Sequence, residues 1–541
     1  MCIPNAIMFR HCLSLVLLLL AVTTHACTVL DISSTSKQST ATILSAQHQA
    51  RQLLEQSATT CVTVLLTGRT FTQALALTAL DNRTRWIGGT FTDAIDIPSS
   101  AWTTTTTAPN QHSLNLTHFN VLPRHLGDDV SIHHFQLLVQ MPNTTEWRPM
   151  MYARWPNIPF QYKEVPPVNW TQVGTVPDDP QCGLQCRRFT WSTQTNRPMR
   201  WVQAAAEGRL YLQGLFKYMW RDNRVGIDHV DVKTRQLSTQ SPTIGIDGVF
   251  PGALYFAYGM SLLEELDSPG EFAIDAKAMT LSAIVPGNCV DANHRMICQT
   301  RAVVVVPAQA SATKNTQPGQ TSLLSIRNAK DIQMTNMTVM GSSRKVGVDI
   351  TQSSNIHMKQ CTFNNLVKAI DVDASYNISL RRSRVGFTME TAVSLNDGGD
   401  PSDGSNRVLL TSNYYLIENN VFHNFGRWGY TYQPGVEIAS DAVGVVVRRN
   451  LFHSCYHAAL LFGGNDHVFE LNEFRNVVTM GYGKCVWCGA AVFCLWLGTQ
   501  TFSHICTDLF PIWFFYFWHC LVCPTQIRVP FMGAVIYQVE V

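Results

Sequence analysis

The chain contains 541 residues, has a formal net charge of +2 at pH 7, and only 14% of its residues are charged. This length is sufficient for one large core or for two domains. The numbers of basic and acidic residues are nearly equal, and the sequence contains neither a basic stripe nor an acidic tail. Nucleic acid is therefore disfavoured as a partner, as is a long solvating segment.

The first 26 residues have the pattern of a secretory signal peptide. Arg10 and His11 precede an apolar run at residues 12–22, and small residues lead up to Cys27. The run is short for a helix that spans a bilayer, which makes a signal anchor the less favoured alternative. We therefore expect residues 1–26 to be removed and the mature protein to be secreted and extracellular.

Glycosylation sequons are spread over the chain behind this leader. They begin at Asn82, Asn115, Asn143, Asn169, Asn336 and Asn377. A single sequon carries little information, but the set together with a leader predicts a glycoprotein with surface turns at these positions.

The 16 cysteines also fit an oxidising compartment, where disulfides form. Sequence proximity makes Cys182–Cys186 and Cys289–Cys298 plausible local bridges. A Cys27–Cys61 bridge would fix the mature N-terminus. Spacing alone does not settle connectivity, and no paired zinc motif is present.

The N-terminal region, residues 27–160, is predicted to contain a cap and the first coils of a solenoid. Residues 45–56 read as a helix, followed by strands at 62–68 and 74–80. A helix placed before short strands would cover the open end of a strand stack, where unpaired backbone invites aggregation. The threonine run at 103–107 is predicted to be a solvated loop.

Residues 328–480 contain six similar segments, each with alternating apolar residues and a final aromatic or aliphatic anchor. The anchors are Val339, Phe363, Val385, Phe422, Phe452 and Phe474. The shortest spacing between anchors is 22 residues, which suggests one coil per repeat with loops inserted into some coils. Strands of successive coils would pair in parallel and bury a shared core.

These repeats predict an all-β fold, a right-handed parallel β-helix over residues 286–481. A leucine-rich repeat would require regular leucines, and a doubly wound α/β fold would require long amphipathic helices; neither pattern is present. Asn420, Asn450 and Asn472 each lie two residues before an anchor. We interpret them as an internal side-chain ladder between coils rather than as ligands.

Several segments, in order, resemble the β-helix proteins related to glycoside hydrolase family 141. They are MYARWPN at 151–157, LYLQG at 210–214 with WRD at 220–222, LEELDSPGEF at 263–272 with Asp275, TYQPGV at 431–436, HAA at 457–459, and GNDH at 464–467 with Glu470, Asn472 and Glu473. The resemblance covers roughly residues 45–480. It implies a secreted β-helix with an inserted β-rich region, here 161–285, and hydrolysis of glycosidic bonds in complex polysaccharides.

Glycosidases usually need one carboxyl group as a proton donor and a second as a base or nucleophile. Asp466, in a glycine-flanked turn, is the first candidate for a catalytic acid or base. Asp441 lies before a comparable strand in the preceding coil, and Glu437 lies on the same groove-forming stretch. The alternative for Asp466 is a structural role in capping the turn.

Candidate substrate-binding residues surround these acids. His457 and His467 would bind hydroxyl groups or tune a carboxylate, with a hydrogen-bonded structural histidine as the alternative. Arg427, Trp428 and Tyr432 would bind a uronate or stack on a sugar ring, although packing at the end of a coil explains the aromatic residues as well.

No cofactor is expected. The run of aspartates at Asp397, Asp400 and Asp403 resembles a calcium loop only weakly, because its spacing is not that of an EF-hand and a solvated acidic turn is the favoured interpretation. P-loop, serine-hydrolase and zinc-protease motifs are absent from the sequence.

Residues 482–541 form an atypical tail rich in cysteine and aromatic residues, predicted to be irregular. A membrane anchor, a metal site and a disulfide-bonded cap are possible interpretations. We favour translated non-coding sequence, because the family pattern ends here without its further acidic element. That loss would suit an inactive, truncated relative if the tail is genuine.

The sequence thus predicts a carbohydrate-active protein, with a glycoside hydrolase favoured over a polysaccharide lyase. The alternative is a non-catalytic or inactive β-helix protein that binds extracellular glycans. The expected partner is a polysaccharide or glycan, with no nucleic acid and no firm indication of a membrane, and the protein is expected to be a monomer.

Overall fold

The structure is a computed structural model. It describes residues 27–34, 42–56, 61–104, 111–123, 126, 135–160, 169–176, 188–216, 221–239, 249, 253–304, 321–396, 412–464, 466–477, 485–488 and 492–494.

The N-terminal region begins with one strand, a helix and the first coils. The helix α1 spans Ile43–Gln56, close to the predicted 45–56, and the strands are β1 (Thr28–Asp31), β2 (Val62–Leu65), β3 (Thr70–Phe71), β4 (Leu75–Leu77), β5 (Thr84–Ile87) and β6 (Thr90–Phe91). The apolar side of α1, including Ile43, Ala50 and Leu54, is buried in the core of the coils. The helix therefore covers this end of the stack, as the sequence predicts.

A long excursion from the coils follows β6. Its strands are β7 (Ile95–Ile97), β8 (Thr103–Thr104), β9 (Gln111–Asn115), β10 (Gln136–Gln140), β11 (Trp147–Pro149), β12 (Met151–Tyr152), β13 (Arg154–Trp155), β14 (Thr171–Gln172), β15 (Arg188–Thr190), β16 (Tyr211–Leu215), β17 (Asn223–Asp231), β18 (Gln236–Thr239), β19 (Leu254–Tyr258), β20 (Glu271–Asp275), β21 (Thr280–Ile284) and β22 (Gln299–Val303), with the short helix α2 (Val202–Ala206). Short 3₁₀ turns lie at Ala79–Asp81, Ser99–Ala101, Leu116–Phe119, Arg197–Trp201, Leu263–Glu265 and Gly287–Cys289.

The remaining strands complete the coils. They are β23 (Ser322–Arg327), β24 (Lys330–Thr335), β25 (Thr338–Thr351), β26 (Ser354–Lys359), β27 (Thr362–Asp373), β28 (Tyr376–Arg381), β29 (Arg384–Gly386), β30 (Val393–Leu395), β31 (Leu416–Glu418), β32 (Val421–His423), β33 (Val436–Ile438), β34 (Val446–Arg448), β35 (Leu451–His453), β36 (Leu460–Phe462), β37 (Val468–Glu470), β38 (Glu473–Arg475), β39 (Cys485–Cys488) and β40 (Val492–Cys494).

The coils form three parallel faces. The first face has the order β1-β2-β5-β24-β26-β28-β31-β34-β37. The second runs through β3, β6, the start of β25, the start of β27, β29, β32, β35 and β38, and the third through β4, β23, the ends of β25 and β27, β30, β33, β36 and β39. Each coil contributes one strand to each face, which confirms the predicted parallel β-helix.

The predicted anchors form one column on the second face. Pairing aligns Val339 with Phe363, Phe363 with Val385, and Val385 with Phe422, and the column continues through Phe452 and Phe474. The rings of Phe422 and Phe452 stack with centroids 4.8 Å apart. The coil register inferred from the repeats is therefore confirmed.

The asparagines form a buried chain of hydrogen bonds between coils. Asn450 Nδ2 donates to Asn472 Oδ1 at 3.0 Å, and the backbone N–H of Asn420 donates to Asn450 Oδ1 at 2.9 Å. Asn420 Oδ1 in turn accepts from the backbone N–H of Ser383 at 2.8 Å. Each amide thus satisfies backbone groups of two coils, as a ladder requires.

The excursion leaves the coils after Phe91 and returns at Ser322. Thr90 of β6 pairs with Thr338 of β25, so the two sides of the excursion belong to adjacent coils. The region predicted as an insertion, 161–285, lies within these wider bounds. The excursion has its own apolar clusters, because its antiparallel sheets bury one side against each other.

Two further expectations concern covalent links and loops. The Cys27–Cys61 and Cys289–Cys298 disulfides are present, as predicted, while Cys182–Cys186 lies outside the described residues. The expected loop at 103–107 is wrong for Thr103 and Thr104, which are exposed but pair with β9 because Ser113 supplies hydrogen-bond partners.

Of the tail, only β39 and β40 are described. β39 extends the third face in parallel with β36, and β40 pairs with β39 in the antiparallel sense, so this part is less irregular than predicted. No helix among the described residues is long and apolar enough to cross a membrane.

Candidate functional site

The third face carries a column of four polar residues, three of them acidic, which we call the acidic column: Asp349, Asp371, Ser394 and Glu437. Strand pairing places these four residues in register on successive coils. Neighbouring strands lie about 4.8 Å apart, so side chains on adjacent coils can contact one bound ligand. The alternate positions Ile370 and Val372 point into the core and are buried, which leaves the column on the outer side.

Asp371 is held by two donors on one oxygen. Lys368 Nζ lies 3.2 Å from Oδ1, and Asn396 Nδ2 donates to the same oxygen at 3.1 Å. No donor among the described residues reaches Oδ2. The carboxylate is therefore fixed in orientation while one oxygen stays available for chemistry.

Glu390 lies in the segment between β29 and β30, close enough to Asp371 for their charges to interact. Burial raises the pKa of the Glu390 carboxyl group; nearby Lys368, Arg224 and Lys345 oppose this rise, and Asp371 adds to it. A carboxyl group with a raised pKa beside one held by cationic and amide donors is the arrangement expected of a general acid and its partner. Glu390 is thus the candidate proton donor of this site.

Glu437 is the last member of the acidic column. Its Oε2 accepts from Thr391 Oγ1 at 3.3 Å and lies 3.5 Å from Ser394 Oγ. The backbone N–H of Thr391 donates a hydrogen bond to Gln433 Oε1 at 2.8 Å. Glu437 is two strands from Asp371, a backbone separation of about 9.6 Å.

Asp441 and Asp466 lie on successive turns that lead from the third face to the first, and both side chains are exposed. The turns are stacked directly, since the backbone N–H of Gly463 donates to Ile438 O at 2.9 Å. A Cβ on Gly464 would lie 2.1 Å from the carbonyl oxygen of Ala442. This glycine is thus needed for coil-to-coil packing, a reason different from the ligand approach that the sequence suggested.

The two candidate histidines are hydrogen-bonded within the protein. His467 Nδ1 accepts from the backbone N–H of Val445 at 3.1 Å, so Nε2 carries the hydrogen and donates to Gly463 O at 2.6 Å. His457 Nδ1 accepts from the backbone N–H of Tyr432 at 3.3 Å. Burial lowers the pKa of both imidazoles and favours their neutral forms.

Arg427 and Trp428 lie at the junction between the coils and the excursion. Arg427 donates to Phe387 O and to Gln136 Oε1, and the Trp428 ring meets Tyr152 edge-on at 5.3 Å. Tyr432 is half-buried, with its ring centroid 5.2 Å from that of His457. These residues thus line the junction, beside rather than on the acidic column.

The excursion also contacts the coils beside the acidic column. Asp222 accepts from the backbone N–H of Thr431 at 3.0 Å and from Thr431 Oγ1 at 2.5 Å. The guanidinium of Arg224 lies 5.1 Å from the Trp428 ring centroid and influences Glu390 electrostatically. One side of the site is therefore built by the excursion.

Sequence reasoning named Glu437 as a candidate but did not name Glu390, Asp371 or Arg224, which the structure places near it. Asp349 and Asp371 are 22 residues apart, the minimum coil spacing, so coil alignment could have revealed the column. Glu390 has no such signal, because its segment is irregular. Among the described residues no group of three or more His, Cys, Asp or Glu side chains is placed to hold a metal ion, and the aspartates at 397, 400 and 403 lie outside them.

No protein-family profile matches the chain, and no curated protein matches it. Its fold is similar to a solved structure described as a glycoside hydrolase, with a TM-score of 0.57 and 11% identity over 81% of this chain and 80% of that one. Weaker similarity links it to the mannuronan C-5 epimerase AlgE4 A-module of Azotobacter vinelandii (TM-score 0.24, 12% identity, 29% of this chain and 44% of that one). An alginate lyase from Paenibacillus sp. str. FPU-7 is comparable (TM-score 0.23, 14% identity, 28% and 52%). At these identities the likeness shows the fold: the chain is similar to a glycoside hydrolase over most of both lengths.

Proposed function

We propose that the chain is a secreted glycoside hydrolase that cleaves a polysaccharide on its third face. The observation that carries the proposal is the pairing of Glu390, whose carboxyl pKa is raised, with Asp371, which is fixed by Lys368 and Asn396. Glycoside hydrolysis requires two carboxyl groups in different protonation states. The similarity of the whole fold to a glycoside hydrolase supports the same reaction class.

In this mechanism Glu390 donates its proton to the leaving glycosidic oxygen. Asp371 either attacks the anomeric carbon or activates a water molecule, depending on its separation from Glu390 in the complex. Glu437 accepts a hydrogen bond from a sugar hydroxyl in the next subsite along the column. Asp441 and Asp466 remain predictions from the sequence, on exposed turns outside this cluster.

Secretion is part of the proposal. The Cys27–Cys61 and Cys289–Cys298 bridges support an oxidising compartment, in which disulfides persist. The leader at residues 1–26 lies outside the described residues and stays a prediction.

The test is hydrolysis of a panel of neutral and acidic polysaccharides, with release of reducing ends as the readout. Glu390→Gln and Asp371→Asn should each lower kcat at least about a hundredfold, the usual contribution of a general acid or base. Asp466→Asn tests the rival assignment made from the sequence, and under this proposal it should leave kcat within a few fold. Loss of activity in Asp466→Asn with full activity in Glu390→Gln would overturn the assignment.

The same panel separates the alternatives. A polysaccharide lyase would release unsaturated products that absorb in the near ultraviolet. A glycan-binding protein would retain polysaccharide without releasing any reducing ends, in the wild type as in the variants.

A further inference from the structure

A cavity of about 160 Å³ lies at the junction between the coils and the excursion. Its walls include Gln136, Arg154 and Phe256 from the excursion and Arg427, Tyr430 and Tyr456 from the coils. Pro159 also lines it and is exposed, which places the opening on that side. A cavity of about 150 Å³ holds a molecule of the size of benzene, so a larger sugar unit would keep part of its ring at the open side by Pro159.

Two guanidinium groups line this cavity, and neither forms a salt bridge with a carboxylate among the described residues. Arg154 is 4% exposed; it donates to Pro156 O at 2.9 Å and to Asn169 O at 3.0 Å, and its charge lies 3.7 Å from the Phe256 ring centroid. Arg427 donates to Phe387 O at 3.2 Å and to Gln136 Oε1 at 3.0 Å. Cations in such surroundings are costly unless an anion accompanies them.

Gln136 adds a donor that lacks an acceptor in the described part of the chain. Its side chain is 4% exposed, and no described residue accepts a hydrogen bond from the buried Nε2. Because Arg427 donates to the other end of this amide, the orientation is fixed and Nε2 must be the nitrogen. A buried unpaired donor next to a guanidinium suits an incoming acceptor that carries negative charge.

The carboxyl group of Glu271 does little to neutralise the positive charge of the cavity. Glu271 interacts with Arg154, but burial raises the pKa of its carboxyl group to about 8. At neutral pH this group is mostly protonated, so the two arginines keep an excess of positive charge.

We propose that this cavity binds the carboxylate-bearing ring of a uronic acid unit, with the carboxylate at Arg427 and Gln136 Nε2 and the ring between aromatic walls. The inference rests on the proposed function, since it names acidic polysaccharides as the substrate class. Arg427 and the amide of Gln136 together supply donors for both carboxylate oxygens. The rings of Tyr430, Tyr456 and Phe256 offer apolar surface to the sugar.

The test is calorimetric titration of the full chain with galacturonate, galactose and acetate. Galacturonate should bind at least tenfold more tightly than either galactose or acetate. Arg427→Gln should weaken galacturonate binding at least tenfold, and Gln136→Leu, which keeps the arginine, should weaken it severalfold. The matched control is Arg384→Gln, a junction arginine already paired with Glu146 at 3.0 Å, which should bind as the wild type does.

Equal binding of galacturonate and galactose, or unchanged binding in both Arg427→Gln and Gln136→Leu, would overturn the inference. Equal binding of acetate would overturn the uronate assignment in favour of any small carboxylate. Glu390→Gln should bind galacturonate normally. Hydrolysis without uronate binding would therefore remove this inference alone, whereas uronate binding without hydrolysis of any polysaccharide would remove the proposed function alone.

Discussion

The side-chain amide of Asn420 donates a hydrogen bond to Oδ1 of Asn450 at 3.0 Å, although the two residues are 30 positions apart in sequence. The same oxygen accepts the backbone N–H of Asn420 at 2.9 Å. Asn450 itself donates to Ile417 O and to Asn472 Oδ1. One buried side chain thus connects three consecutive coils.

Asn450→Ala should lower the free energy of unfolding by about 2–4 kcal/mol, because two donors of Asn420 lose their buried acceptor. Asn472→Ala is the control at the more exposed end of the ladder, where water can replace the lost partner, and it should cost about half as much. Thermal or urea unfolding measures both. If the two variants lost the same free energy of unfolding, the stabilisation by these hydrogen bonds would not depend on their burial, which would contradict this account.

Asp222 connects the excursion to the turn that precedes β33. It accepts from both the backbone N–H and the hydroxyl of Thr431, and from Gln213 Nε2 at 2.5 Å. Asp222→Ala should therefore destabilise the protein by about 2–3 kcal/mol in a thermal unfolding experiment. Thr431→Val keeps the backbone donor and should cost less. An Asp222→Ala variant as stable as the wild type would show that this contact does not hold the junction together.

The buried acid Glu271 makes stability depend on pH. Burial raises the pKa of its carboxyl group from 4.5 to about 8, so the folded protein holds an extra proton between these values. Its contribution to stability is consequently lost as the pH rises through this window, with a slope of up to about 1.4 kcal/mol per pH unit. Relative to wild type, Glu271→Gln should become steadily more stable from pH 5 to pH 8 in urea unfolding.

Asp291→Asn is the control for that experiment. Hydrogen bonds from the backbone N–H groups of Arg295 and Asn293 lower the pKa of the Asp291 carboxyl group, so it is ionised in both the folded and the unfolded states throughout this window. Its stability difference from wild type should stay constant between pH 5 and pH 8. A constant difference for Glu271→Gln as well would contradict a raised pKa at Glu271.

Arg224 is expected to set the pH range of activity through Glu390. Burial raises the Glu390 pKa and the positive charge of Arg224 lowers it, so Arg224→Met should raise that pKa further. The basic limb of the kcat/KM profile should therefore move to higher pH. Lys330→Met, on an exposed site of the first face, is the control; a shift in this variant, or none in Arg224→Met, would contradict the assignment.

The sequence predicts the coils well because the same kind of side chain is needed at equivalent positions of every coil. Val339, Phe363 and Phe452 occupy equivalent positions, and each must fill the same space between neighbouring anchors. The limits of the excursion are not visible in this way. Thr90 and Thr338 become neighbours only through a pairing between distant parts of the chain, and no periodic pattern marks either end.

The site is predictable only in part for a related reason. Glu437 lies on a strand, where alternation shows which side chains face outward. Glu390 owes its raised pKa to burial and to neighbours such as Arg224, which come from distant segments. The glycine beside Asp466 suggested a ligand site, but the carbonyl oxygen of Ala442 in the adjacent coil already explains it.

The most direct test of the central claim compares two leaving groups in Glu390→Gln. A general acid is needed to expel a sugar alkoxide but not a good aryl leaving group, which departs without protonation. On the polysaccharide identified by the panel, this variant should lose at least about a hundredfold in kcat. On the nitrophenyl glycoside of the same sugar it should retain most of the wild-type rate of glycosidic cleavage. An equal loss on both substrates, or no loss on the polysaccharide, would contradict the assignment of Glu390 as the proton donor.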